Sequence, residues 1–125
     1  MPVITNVDHA RKRVTSAVVG PLSVQDVAEH LALERHFHGT AYSELIDARS
    51  ALLSFSAAQV NEIVELVKRA NASSPFGPTA VVVPADSDFN LARVIETLLA
   101  DTCVVKPFRS EEEAHSWLGW AETPS

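Results

Sequence analysis

The residues from Glu44 to Ala70 constrain the fold of this chain more than any other stretch. The short apolar run Leu45-Ile46 is followed, after a polar turn, by apolar residues at helical spacing. These are Val60, Ile63, Val64 and Val67. The pattern predicts a buried strand that leads into an amphipathic helix. Ser56 with Gln59 three residues later predicts a capping box at the start of that helix.

The rest of the chain repeats this alternation. Two apolar stretches, 3–7 and 14–19, are separated by polar residues and predict an antiparallel hairpin. The stretch 79–83 is uniformly apolar and predicts a central strand. The element order ββαβαβαβα, with right-handed crossovers, predicts an α/β fold with a single mixed, mostly parallel sheet of four to five strands backed by helices. We expect residues 1–125 to form one domain.

Serine and glycine predict several element boundaries. Ser23 with Asp26 and Ser110 with Glu113 predict two further helix starts. We expect Ser87 to cap the third helix, Gly39 and Gly119 to end the first and last helices, and 103–105 to be the last strand. The predicted inward residues of the third helix are Leu91, Val94, Ile95 and Leu98.

Charge and composition exclude several kinds of function. The formal net charge of −6 argues against nucleic acid or an anionic membrane as the main partner, since both are bound through clustered Lys and Arg. No stretch approaches the ~20 apolar residues of a membrane span. The single cysteine, Cys103, cannot form an internal disulfide, which suits a reducing compartment. We therefore expect a cytoplasmic protein that is not integral to a membrane.

The carboxyl ends of the parallel strands predict where a binding site lies. In an open parallel sheet these ends meet at one edge, and ligands bind there. Phe89 is expected off the inward stripe of its helix, as an apolar side chain beside an acidic turn. We predict contacts to a partner or ligand from Ser54, Ser56, Asp86, Phe89 and Arg109.

Three segments carry a resemblance to a known family: IDARSALLSFSAAQV, TAVVVPADSDFNLARVIETLLA and VKPFRSEEEAHSWLG. Together with the element order, they resemble the SpoIIAA-like family of small bacterial proteins. That family is related to STAS domains and, by fold, to CRAL-TRIO lipid carriers. The resemblance implies a four- or five-stranded sheet backed by helices, while function is not fixed by fold alone.

The resemblance also implies a test for a phosphoserine switch. In STAS anti-sigma antagonists the turn before the second helix reads Asp-Ser-Ser-Gly, and the second serine accepts the phosphate. Aligned on that motif, this chain has Phe55, Ser56, Ala57 and Ala58. A shift of one residue would place Ser56 at the acceptor position, but an acidic neighbour would still be missing. We expect the phosphoserine switch to be absent.

No catalytic or metal-binding pattern is complete. His30, Glu34 and His38 are four residues apart on one helical face, which is a spacing that can ligate a metal. Ordinary i,i+4 charge pairs, with His38 as a cation suited to the helix end, explain it better, and we expect no metal. No serine stands in a Gly-x-Ser-x-Gly elbow, and no acid, base and electrophile can be named together. We expect no enzyme activity and no cofactor.

Two functions remain open from the sequence. The first is a non-enzymatic regulatory module that binds a protein partner through the carboxyl edge. The second is a carrier of a small apolar or lipid-like ligand between sheet and helices, as the CRAL-TRIO relation implies. Trp117 and Trp120 near the short last helix, together with the open edge of the sheet, favour a homodimer.

Overall fold

A computed structural model describes residues 2–37 and 41–120. It confirms the α/β class and the predicted element order. The strands are β1 (Val3–Asp8), β2 (Arg13–Pro21), β3 (Ser43–Leu52), β4 (Thr79–Val82) and β5 (Val105–Phe108). The helices are α1 (Val24–His36), α2 (Ala57–Ser73), α3 (Asp86–Leu98) and α4 (Glu111–Leu118).

The five strands form one mixed sheet in the order β1-β2-β3-β4-β5. The β1–β2 hairpin is antiparallel, and all the other neighbours are parallel. The pairing of β2 with β3 shifts by one residue between Ala17 and Val19, where a bulge interrupts the ladder. The sheet therefore has one carboxyl edge, formed by the ends of β2, β3, β4 and β5.

The two faces of the sheet are covered differently. One face, which we call the three-helix face, carries Ile46, Val81 and Val105 and packs against α1, α2 and α3. On the opposite face Leu45 and Ala80 pack against the single helix α4. The helix α4 covers the β3–β5 part of that face, and Trp120 after it lies against Arg13 at the start of β2. Within residues 2–37 and 41–120, no helix covers the remainder of β1 and β2 on this side. Among the helices of the described ranges, none combines the length and hydropathy that a membrane span needs.

Two predicted boundaries are wrong. Ser87 does not cap α3, because the helix begins at Asp86 and its N-cap residue is Ala85, which makes no side-chain cap bond. Asp86 and Asp88 lie in the first turn, where their charge suits the helix dipole. The last strand begins at Val105, since residues 99–102 form a turn that carries the chain to Cys103. The predicted end of α1 at Gly39 lies outside the described residues.

The inward face of α3 is also rotated from the prediction. Ala92 and Leu99 are buried, whereas Val94 and Leu98 are exposed. The predicted residues Leu91 and Ile95 do pack against the core, so the prediction is right for these two and wrong for Val94 and Leu98. The apolar arc of this helix is wider than the arc that contacts the sheet, and spacing alone does not select between its two sides. The rotation brings Phe89 inward, where it packs beside Val18, Ala48 and other small core residues. The expectation that Phe89 lies off the inward stripe is therefore wrong.

The helix α4 ends at Gly119 as predicted, and Trp120 takes part in the turn that follows. Gly119 has φ 75°, and the Trp120 amide donates to the His115 carbonyl, so the turn is a Schellman motif. Trp120 is buried, and its indole nitrogen donates to Ser43 Oγ at 2.8 Å. Trp117 packs on Phe108. Trp120 is thus part of the chain's own core and gives no support to the homodimer.

Candidate functional site

The five residues predicted for binding lie along the carboxyl edge, but they do not converge on one point. Ser54 and Ser56 are exposed in the connection from β3 to α2, and Asp86 and Arg109 are exposed after β4 and β5. Phe89 is half-buried. Their role in binding remains a prediction.

Two arginines, Arg109 and Arg49, form ion pairs on this part of the surface. Arg109 pairs with Asp86 and also donates to the Pro84 carbonyl at 2.8 Å. Arg49 donates to Asp47 at 2.8 Å and to Glu111 at 2.7 Å, which ties β3 to α4. The hydrogen bonds from Arg49 lower the pKa of Asp47. These pairs are largely solvated, so they position the chain without adding much stability.

Ser56 has the capping role that its sequence predicts. Its hydroxyl accepts from the Gln59 amide at 3.2 Å, and the Gln59 side chain accepts from the Ser56 amide at 2.8 Å. The next residue, Ala57, is the first of α2 and has no hydroxyl. The serine at this turn is therefore engaged as a helix cap.

An apolar patch adjoins the carboxyl edge on the side of the sheet that carries α4. Ile4, Val19 and Leu52 are 66%, 57% and 64% exposed. They come from the neighbouring strands β1, β2 and β3, and the pairing register makes them diagonal neighbours. We call these three residues the open face.

A second site lies at the amino-terminal end of β3, on the three-helix face. Glu34 and Glu44 are only 3% and 4% exposed. His30 Nε2 lies between them, 2.5 Å from Glu34 Oε1 and 2.9 Å from Glu44 Oε2. The i,i+4 pair of His30 and Glu34 is thus present, but a third residue from a different element joins it. We call His30, Glu34 and Glu44 the buried cluster.

Two hydroxyl groups make hydrogen-bond contacts with the buried cluster. Ser16 Oγ donates to Glu44 Oε2 at 2.8 Å, and Thr5 Oγ1 lies 3.1 Å from His30 Nδ1. An imidazolium fits this arrangement, because Nδ1–H then faces Thr5 while Nε2–H faces the two carboxylates. In the described part of the chain, every buried side-chain nitrogen and oxygen has a hydrogen-bond partner.

The cluster changes the ionisation of its members. Burial alone would lower the pKa of His30, but hydrogen bonds to Glu34 and Glu44 and the charges of both overcome it and raise that pKa to about 10. Burial raises the pKa of Glu34 to about 7, against the opposing hydrogen bond from His30. At neutral pH the histidine is therefore charged, and Glu34 binds a proton more readily than a glutamate in water does.

The buried cluster borders a cavity of about 190 Å³ between the sheet and the three helices. The remaining lining is almost entirely apolar and includes Ile46, Ile63 and Leu99. A second lobe of about 140 Å³ continues along the same layer towards Phe55. A small molecule in this cavity would meet apolar walls with one polar end.

The sequence contains a signal for the buried cluster that is separate from the spacing of His30, Glu34 and His38. Glu44 precedes Ile46 by two residues, so both point to the same face of β3. Glu34 follows Leu31 by three residues on the inward side of α1. Polar residues at core-facing positions mark a buried polar site. His38, the third residue of the predicted metal set, lies outside the described residues.

Comparisons with known proteins bear on the fold. No family model matches the sequence, and no curated protein matches it significantly. An uncharacterised DUF3478-family protein with a SpoIIAA-like fold from Shewanella loihica PV-4 superposes with a TM-score of 0.62 and 18% identity, covering 93% of each chain. The anti-sigma factor antagonist SpoIIAA in its unphosphorylated form superposes with a TM-score of 0.52 and 13% identity, covering 94% of this chain and 97% of its own. The chain therefore has the SpoIIAA-like fold, as the sequence resemblance predicted.

Proposed function

We propose that this chain is a non-enzymatic regulatory module that binds a protein partner through the open face and the adjoining carboxyl edge. The observation that carries the proposal is the exposure of Ile4, Val19 and Leu52 on three adjacent strands. Single exposed apolar residues are common, whereas a contiguous group on a sheet face is typical of an interaction site.

The surroundings of the open face support this assignment. Protein interfaces combine an apolar centre with a polar rim. Here the rim is supplied by Asp47, Arg49 and Glu111 beside α4, and by Ser54 two residues after Leu52. The similarity to an anti-sigma factor antagonist agrees with a partner-binding role at the level of fold.

We also propose that this binding does not use the phosphoserine switch of STAS antagonists. Ala57 stands at the acceptor position, and the hydroxyl of Ser56 is engaged in its capping box. Control of binding must then come from another feature of the chain or from the partner itself.

Site-specific crosslinking in the host cell tests the proposal. A photoreactive amino acid replaces Leu52 in one variant and Glu65, which is exposed on α2, in a control variant. We expect one protein to be captured at Leu52 and not at Glu65. The captured protein, once purified, should bind Val19→Asp at least tenfold more weakly than wild type, with an unchanged circular dichroism spectrum. Equal capture at both positions, or unchanged binding by Val19→Asp, would contradict the proposal.

A second candidate function is favoured by the cavity. Its volume of about 190 Å³ suits a carrier of a small apolar ligand. An engineered cavity of about 150 Å³ holds one benzene molecule, so this cavity fits a single aromatic ring or a short chain and is too small for a two-chain lipid. The ligand we propose here is therefore smaller than those of the lipid carriers that the resemblance suggested.

Indole is a suitable probe for the carrier function. We expect it to raise the melting temperature of the wild-type protein and to leave that of Val67→Phe unchanged, because a phenyl ring at position 67 fills part of the cavity. Native mass spectrometry of the purified protein should show a bound small molecule. A bare chain mass together with no response to indole would eliminate this candidate.

A further inference from the structure

We propose that the buried cluster is a binding site for a divalent transition-metal ion such as Zn²⁺. One atom from each of His30, Glu34 and Glu44 lies within 4.8 Å of the others. An imidazole nitrogen and two carboxylate oxygens are ligands that Zn²⁺ accepts in proteins. The inference is independent of the proposed partner binding, which uses the opposite face of the sheet.

The ligand geometry requires only a small rearrangement. Zinc bonds to nitrogen and oxygen are about 2.0–2.2 Å long, so tetrahedral ligand atoms stand about 3.3 Å apart. His30 Nε2 is now 2.5 Å from Glu34 Oε1 and 2.9 Å from Glu44 Oε2. The two distances to His30 must each open by less than about 1 Å. The oxygens of Glu34 and Glu44, which lie within 4.8 Å of one another, must take the same spacing, and rotation of the side chains on α1 and β3 supplies these changes.

The hydroxyl groups of Thr5 and Ser16 occupy the positions of the outer hydrogen-bond partners that metal ligands usually have. A histidine that binds metal through Nε2 donates from Nδ1 to a neighbouring acceptor, and ligating carboxylates accept further hydrogen bonds. Thr5 Oγ1 lies 3.1 Å from His30 Nδ1, and Ser16 Oγ donates to Glu44 Oε2. Both contacts persist if the ion takes the position of the proton on Nε2.

Charge and position also favour a cation. Two buried carboxylates face one another across a single imidazole, and a divalent ion with neutral histidine balances their charge. The cluster contributes three ligands and borders the cavity, so a fourth coordination position opens toward it. A site with three protein ligands and one open position can hold water or a coordinating group of a small molecule.

Metal titration of the chelator-treated protein tests the site. We expect one Co²⁺ to bind per chain and to show the visible absorption of a four-coordinate ion. Zn²⁺ should displace the Co²⁺ and bind with a dissociation constant of about 1 μM or lower. Glu34→Gln and Glu44→Gln should each weaken Zn²⁺ binding by at least tenfold. Ser16→Ala should weaken it about tenfold through loss of the outer hydrogen bond.

The chain supplies a matched control. His115 and Glu111 form an exposed i,i+4 pair on α4, and His115→Gln should leave Zn²⁺ binding unchanged. In the wild-type protein, Zn²⁺ should shift the NMR signals of the His30 imidazole before those of the other histidines, and this readout does not depend on a variant that folds. Absence of binding up to millimolar Zn²⁺, or first shifts at another histidine, would overturn the proposal.

Discussion

The strand β3 carries charged side chains in two contrasting environments. Near its amino-terminal end Glu44 is buried and shares His30 with Glu34. Towards the carboxyl edge Asp47 and Arg49 pair in contact with solvent and reach Glu111 on α4. The distances between oppositely charged atoms are similar at the two ends of β3. Of the two groups, the buried cluster has lost its hydration, whereas Asp47 and Arg49 remain in contact with water. We therefore expect burial, more than pair geometry, to decide which of these charges affect stability.

The largest expected effect on stability comes from removing the positively charged side chain of His30 from the buried cluster. In metal-free protein at pH 7, His30→Leu should lower the free energy of unfolding by about 3–5 kcal/mol, because it leaves two buried carboxylates without a counter-charge. Urea denaturation of both proteins at pH 7 and pH 5 measures the free energy of unfolding. The loss of stability in the variant should be smaller at pH 5, where the carboxylates bind protons.

Two control variants sharpen this prediction. Asp86→Asn removes an exposed ion pair and a charge at the start of α3, and should lower the free energy of unfolding by less than about 1 kcal/mol. Replacing all three cluster residues with leucine should recover most of the stability, because no buried charge remains. If His30→Leu and Asp86→Asn unfold at the same urea concentration, the contrast between the two ends of β3 is refuted.

The pH dependence of stability should come from the buried end. The folded pKa of His30, about 10, lies above its ordinary value of 6.5. Its contribution is fully present below pH 6.5 and is lost as the pH rises through 10. Glu34 acts in the same direction between 4.5 and about 7. Between pH 7 and 9 the free energy of unfolding of metal-free protein should therefore fall by about 1.4 kcal/mol per pH unit.

The same controls separate this slope from the rest of the molecule. The triple leucine variant should lose most of this decline between pH 7 and 9, while His115→Gln, which changes a side chain outside the buried cluster, should retain it. A wild-type profile that stays flat over this range would show that the charged state of His30 is not stabilised by folding.

A smaller effect is expected at the exposed end, where α2 begins. Ser56→Ala should lower the free energy of unfolding by about 1 kcal/mol through loss of the cap, and Ser56→Asp should recover most of it because Asp caps equally well. Chemical denaturation provides the measurement. An unchanged midpoint for Ser56→Ala, together with phosphate on Ser56 in the cellular protein, would restore the phosphoserine switch.

The smallest effect on stability is expected at the open face. Leu52→Asp should leave the unfolding midpoint near that of wild type, because this side chain is already exposed. If the predicted homodimer forms through this face, the variant should sediment as one chain while wild type sediments as two. A wild-type mass of one chain at every concentration would remove the homodimer and leave the open face for a different partner.

Particular residues show how far the sequence could predict the site. Ser56 and Gln59 were identified as a capping box, because a cap depends on residues three positions apart. Asp86 and Arg109 were placed at the same edge, since parallel strands end together, and the structure pairs them. The buried cluster was missed because Glu44 lies fourteen residues from His30. No local pattern states which helix residue faces which strand residue.

The sequence by itself determined the order of the elements, the single mixed sheet and most helix starts. These follow from hydrophobic period and capping, which act over a few neighbouring residues. Only the tertiary structure decided which side of α3 faces the sheet, where Trp120 packs, and that His30, Glu34 and Glu44 share one buried site. Those outcomes depend on how α1, α3 and α4 are rotated against the strands. Such rotations are set by packing among residues distant in sequence, and a one-dimensional pattern does not contain them.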